Sequence, residues 1–99
     1  MRLHRNLCFA VIDGVLQVFN DGDYADKVIQ QLLKRDKRWG ARDRGFVAET
    51  TYEMVRWKRL YAEIAEVKEP FDRDNLWRMF AVLATLKGIK LPDWKYFEG

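Results

Sequence analysis

The stretch from His4 to Asn20 constrains the fold more than any other part of the chain. Leu7, Val11, Val15 and Val18 make one helical face, and Cys8, Ile12, Leu16 and Phe19 make a second. Only Asn6, Asp13, Gln17 and Asn20 leave a narrow polar stripe. A helix apolar around most of its circumference is enclosed by other elements rather than laid on a surface. It is no membrane span, because Asp13 interrupts it well short of the roughly 18 apolar residues a crossing needs. Its flank, Met1-Arg2-Leu3-His4-Arg5, reads like the start of a signal peptide, but no small-residue cleavage site follows. A chain of 99 residues with one cysteine has room for one core, no internal disulfide and no four-cysteine zinc site. The expected setting is the cytoplasm, away from membranes.

Three further segments carry helical periodicity, and with only six glycines and two prolines the composition favours helices over a turn-rich sheet. The second spans about Tyr24 to Arg35, with Ala25, Val28, Ile29, Leu32 and Leu33 on one side and Asp23 as the expected N-cap. The third is expected to run unbroken from Arg42 to about Lys68, on a stripe of Phe46, Thr50, Met54, Trp57, Tyr61 and Ile64. Glu53–Arg56 and Arg59–Glu63 are its expected surface pairs. The fourth starts at Asp72, with Phe71 and Leu76 at hydrophobic-staple spacing. It buries Leu76, Met79, Phe80, Leu83 and Leu86, then stops at Gly88 in a Schellman ending. The fold class is therefore all-α, a small bundle of four to five helices in one domain, residues 1–99. The tail Trp94-Lys95-Tyr96-Phe97 is too aromatic for a solvated terminus, and either docks on the bundle or leads into further chain.

Charge is segregated. Residues 34–59 hold nine basic and four acidic side chains, a net +5, whereas residues 6–33 and 60–75 are each −3. If the first helix begins beside the 34–44 loop, Arg2 and Arg5 join Lys37, Arg38, Arg42 and Arg44 in one basic face around Trp39. Such a face attracts phosphate backbones through counterion release, and an aromatic ring within it stacks on an unpaired base. The alternative for Trp39 is a lid over the ends of two helices.

The block Asp43-Arg44-Gly45-Phe46-Val47-Ala48-Glu49-Thr50-Thr51-Tyr52-Glu53-Met54-Val55-Arg56-Trp57 is similar to a signature of the NusB-like domain that opens the Sun/Fmu (RsmB) family. That family comprises bacterial rRNA cytosine-C5 methyltransferases. Arg5-Asn6-Leu7-Cys8-Phe9-Ala10, Ala25-Asp26-Lys27-Val28 and Leu83 to Pro92 follow in the same order. The resemblance implies a NusB-like RNA-binding module set ahead of an S-adenosylmethionine-dependent domain. It places RNA contacts on Arg2, Arg5, Lys37, Arg38, Arg42 and Arg44. Arg56 matches the family arginine, as an RNA contact or as a structural partner of Glu49 or Glu53, while Trp57 falls on the apolar stripe. The chain departs from the pattern in lacking the family's last helices, the glycine-rich cofactor loop and the catalytic cysteine motif. A truncated or shortened family member is the expectation. The cofactor S-adenosylmethionine would belong only to the missing domain, and the 99 residues would not be an enzyme by themselves. The implied partners are 16S-type rRNA and that methyltransferase domain. The alternative is a protein-interaction or homodimerisation module without RNA contact, using the aromatic tail or apolar surface left uncovered.

Two constellations point elsewhere. His4 and Cys8 share a helical face at i, i+4, a spacing suited to a nucleophile pair or two metal ligands, but no third ligand or orienting carboxylate accompanies them. Asp21, Asp23 and Asp26 lack calcium-loop spacing and fit helix capping.

Overall fold

The computed structural model describes residues 3–97, and among them every regular element is helical. The elements are α1 (Arg5–Asp21), α2 (Ala25–Leu32), α3 (Ala41–Arg56), α4 (Lys58–Ala65), α5 (Arg73–Leu86) and a 3₁₀ turn at Lys95–Phe97. The all-α bundle expected from periodicity is what forms. α1 is its axis, packed by α2, α3 and α5, while α4 packs on α5. Leu7, Cys8, Ala10, Val11, Ile12 and Val15 are all buried, on both apolar faces. Full burial of such a side chain contributes roughly 1.5–3 kcal/mol.

The polar stripe of α1 ties neighbouring elements to it. Asp13 accepts from Arg35, just beyond α2, at 2.9 Å and from Arg73 at the start of α5. Gln17 donates to Asp23 at 2.8 Å, and Asn20 to the Phe71 carbonyl at 3.2 Å. Asp23 is therefore occupied, and the N-cap of α2 is Tyr24, one residue later than expected. The helix itself stops at Leu32, short of Arg35, in a turn closed by Lys34 and Arg35 amides bonding to Gln31 and Leu32 carbonyls. α2 crosses α1 at Gly14, where an added Cβ would stand 2.5 Å from Leu32 Cδ1 and 3.3 Å from Val28 Cγ1. The absent side chain sets how closely the two helices approach.

The long third helix is two helices. Val47, Thr50, Thr51 and Met54 of α3 are buried towards α1, whereas α4 turns Tyr61, Ala62 and Ala65 towards α5. A straight helix cannot serve both partners, and the axis turns at Trp57 (φ −104°, ψ 27°). The hydrogen-bond ladder nearly survives: Trp57 N–H donates to the Glu53 carbonyl at 2.9 Å and Tyr61 N–H to the Trp57 carbonyl at 3.0 Å. The turn carries Trp57 out of the expected stripe to 45% exposure and leaves Ile64 at 51%. The expected surface pairs do not form: Glu53 takes Lys87 at 2.9 Å, and neither Arg59 nor Glu63 has an ion-pair partner among the described residues.

α5 is bounded as its sequence requires. Asp72 accepts from the Asn75 amide at 2.8 Å while Asn75 accepts from the Asp72 amide at 3.1 Å, a reciprocal cap. Phe71 and Leu76, the staple pair, are both buried. Gly88 has φ 73°, and the Gly88 and Ile89 amides bond to the Thr85 and Ala84 carbonyls at 3.0 and 2.8 Å, the Schellman pattern. The buried face differs at two places. Leu86 is 60% exposed in the last turn, and Trp77 is buried instead. Trp77 meets Phe9 of α1 edge-on at 5.4 Å and Phe97 of the tail at 5.5 Å. The tail docks: Phe97 stacks on Phe80 (6.1 Å) and Trp94 (5.8 Å), so the 3₁₀ turn covers a second side of α5.

Candidate nucleic-acid interface

The segment 87–94 organises the basic surface. Ile89 and Lys87 line a cleft of about 530 Å³ with Arg42, Phe46 and Glu49 of α3. Immediately beyond, Lys90, Leu91 and Trp94 line a second cleft, of about 550 Å³, with Leu3, His4 and Arg5. The Schellman turn at Gly88 thus sends the chain from the first turns of α3 to the first turn of α1. Arg42 and Arg5 stand at its two ends.

The candidate side chains divide into three groups. Arg5, Lys37 and Arg42 are exposed, and none has an ion-pair partner among the described residues. Arg5 lies over the Trp94 ring, 5.3 Å from its centroid, which fixes the guanidinium without neutralising it. Arg38 and Arg44 are engaged. Arg38 forms a forked pair with Asp36 at 2.9 and 3.0 Å, and this raises the arginine's pKa and holds the Asp36 carboxyl below the usual range. The Arg38 side chain is nonetheless 88% exposed, and such a surface pair is weak. Arg44 donates to the Leu33 carbonyl at 2.7 Å, bracing α3 against the end of α2, and the residue as a whole is exposed.

Trp39 is a correction, while Arg56 is exposed at the opposite end of α3 from Arg42. Trp39 is 8% exposed and belongs to the core, so it is the lid over the helix ends and offers no ring face to a base. A tryptophan between Arg38 and Gly40 in a charged loop carries no periodicity that would show this burial. Arg56 pairs with neither Glu49 nor Glu53, and lies 5.3 Å over the exposed Trp57 ring at the turn between α3 and α4. Arg2 lies outside the described residues.

The structure adds one residue that periodicity missed. Lys90 is exposed, unpaired among the described residues, and lines the same cleft as Arg5. The only sequence signal was its place just past the Gly88 helix stop. The N-cap of α1, His4, makes no side-chain capping bond, and the first turn holds no acidic residue. The Leu7 and Cys8 amides of that turn are bonded to the His4 carbonyl at 3.1 Å.

The His4–Cys8 pair does not form a reactive site. Cys8 is fully buried, and burial pushes its thiol up to about 12, whereas His4 is exposed at the helix cap. Among the described residues no group of three or more His, Cys, Asp or Glu is placed to hold a metal ion, and no helix is long and apolar enough to cross a membrane. Comparison of the chain with protein-family models, with curated proteins and with solved structures finds no match in any of the three.

Proposed function

We propose that this bundle is an RNA-binding accessory domain. In the reading implied by its resemblance to the Sun/Fmu family, it helps to position rRNA for an S-adenosylmethionine-dependent cytosine-C5 methyltransferase. The observation that carries the proposal is a set of exposed cations without ion-pair partners among the described residues: Arg42 lines one cleft, Arg5 and Lys90 line the next, and Lys37 lies in the loop before α3, against one carboxylate in each cleft, Glu49 and Asp93. Lysines and arginines that serve the fold are paired here, as Arg35 and Arg73 are on Asp13. The set keeps its charge free for phosphate. Trp39 takes no part, so binding rests on backbone charge and carries little base discrimination.

The test is fluorescence anisotropy with a labelled 16S rRNA hairpin. The double reversal Arg5→Glu/Arg42→Glu should weaken binding by a similar factor for all hairpin sequences and reduce the dependence on salt by roughly two charges. Lys27→Glu, in the first turn of α2 and lining neither cleft, should leave both unchanged. Equal effects of the double reversal and Lys27→Glu would refute the proposal, as would no binding by the wild-type chain.

A further inference from the structure

The outer face of α4 is apolar where a surface helix should be polar. Trp57, Leu60 and Ile64 are 45%, 41% and 51% exposed, and lie at i, i+3 and i+7. A single exposed leucine needs no explanation, but a helical row of three large side chains does. The other edge of the face holds Arg59 and Glu63, which also rim a cleft floored by Ala62, Val67 and Phe71.

The order of charges along α4 identifies what covers the row. Its first turn has no acidic residue and carries Arg59, and its last turn has no basic residue and carries Glu63, with Glu66 at the cap. Positive charge therefore lies at one end of α4 and negative charge at the other. Arg59 and Glu63 are four residues apart, yet they make no ion pair with each other, and Glu66 has none among the described residues. Left unpaired, this charge order is complementary to a copy of itself running the other way. Across a two-fold axis at the middle of α4, Arg59 of one chain comes beside Glu63 and Glu66 of the other. Leu60 then meets Ile64 of the second copy, and the two helix dipoles align head to tail. We infer that α4 is the contact of a weak antiparallel homodimer, separate from the basic clefts and independent of RNA binding.

The apolar row is small for an interface, so the association belongs to the weak, transient class. Sedimentation equilibrium of the full chain over roughly 10 μM to 1 mM should show a monomer–dimer equilibrium within that range. Leu60→Asp, at an exposed position, should shift the dissociation constant at least tenfold. Arg59→Glu alone, and Glu63→Arg/Glu66→Arg alone, should each weaken self-association by placing like charges together. A mixture of these two charge variants should form a heterodimer, because the complementary pairs are restored. A strict monomer at 1 mM overturns the inference. So does a dimer indifferent to Leu60→Asp, or charge variants that fail to pair with each other while each retains the far-UV spectrum of the wild type.

Discussion

Replacing Gly14 by alanine sets two effects of known size against each other. In a helix interior the change removes glycine's entropic penalty and on its own stabilises by about 1 kcal/mol. The new Cβ would lie 2.5 Å from Leu32 Cδ1, about 1 Å inside ordinary carbon–carbon contact, and 3.3 Å from Val28 Cγ1. Leu32 Cδ1 ends a flexible side chain, but Leu32 is 5% exposed and Val28 1%, so it must repack against core neighbours rather than swing into solvent. Forcing one extra carbon into a packed contact costs about 1–3 kcal/mol. The steric term wins, and Gly14→Ala should destabilise by about 1 kcal/mol, lowering a urea midpoint by roughly 0.7 M at an m-value of about 1.5 kcal/mol/M. The decisive arm is the Leu32→Ala background. That change itself costs about 2–5 kcal/mol but removes the atom in the way. Gly14→Ala should then become stabilising by about 1 kcal/mol, a reversal of sign and a coupling near 2 kcal/mol. Urea titrations of the four proteins, followed by circular dichroism, read both arms. A stabilising Gly14→Ala in the wild-type background, or the same destabilisation with and without Leu32, would refute the argument that this glycine sets the α1–α2 approach.

Three further outcomes follow from buried or strained groups. Cys8 ionises near 9.0 when unfolded and near 12 when folded; its raised value gives stability that is whole below pH 9 and lost above it. The loss should approach about 1.4 kcal/mol per pH unit and reach about 4 kcal/mol at pH 12, and Cys8→Ala should flatten the alkaline limb of a stability-against-pH curve. Tyr61, raised by burial and then by Glu53, would account for the slope that remains. The Thr51 hydroxyl is fully buried without a hydrogen-bond partner among the described residues, so Thr51→Val should raise stability by about 1 kcal/mol in urea titration, whereas a loss would mean the hydroxyl is satisfied. Glu66 closes α4 in the left-handed region, at φ 59° and ψ 45°, and Glu66→Gly should raise the midpoint by the equivalent of about 0.5–1 kcal/mol; an unchanged midpoint would deny the strain.

Where local chemistry decides structure, the sequence was readable. The all-round apolar pattern of α1 made it the axis, and Asp72, the Phe71–Leu76 staple and Gly88 bounded α5, because each depends on residues within a turn or two. Where distant partners decide, it was not. No glycine or proline marks the turn at Trp57, which arises because α3 packs on α1 and α4 on α5. Trp77 is buried by a tail some twenty residues away in sequence. The candidate interface shows the same division. The excess of positive charge at 34–59 was visible from composition, but which cations are free was not. Asp36 and the Leu33 carbonyl engage Arg38 and Arg44, Trp39 is buried in the core, and the Gly88 turn brings Lys90 to Arg5.

The central claim is that Arg5, Lys37, Arg42 and Lys90 act together on a phosphate backbone, and the affinity for a single-stranded 16S rRNA segment measured against salt tests it most directly. Four cations each releasing a counterion give a log–log slope of about −3. A slope near zero, or no measurable complex at low salt, would contradict it.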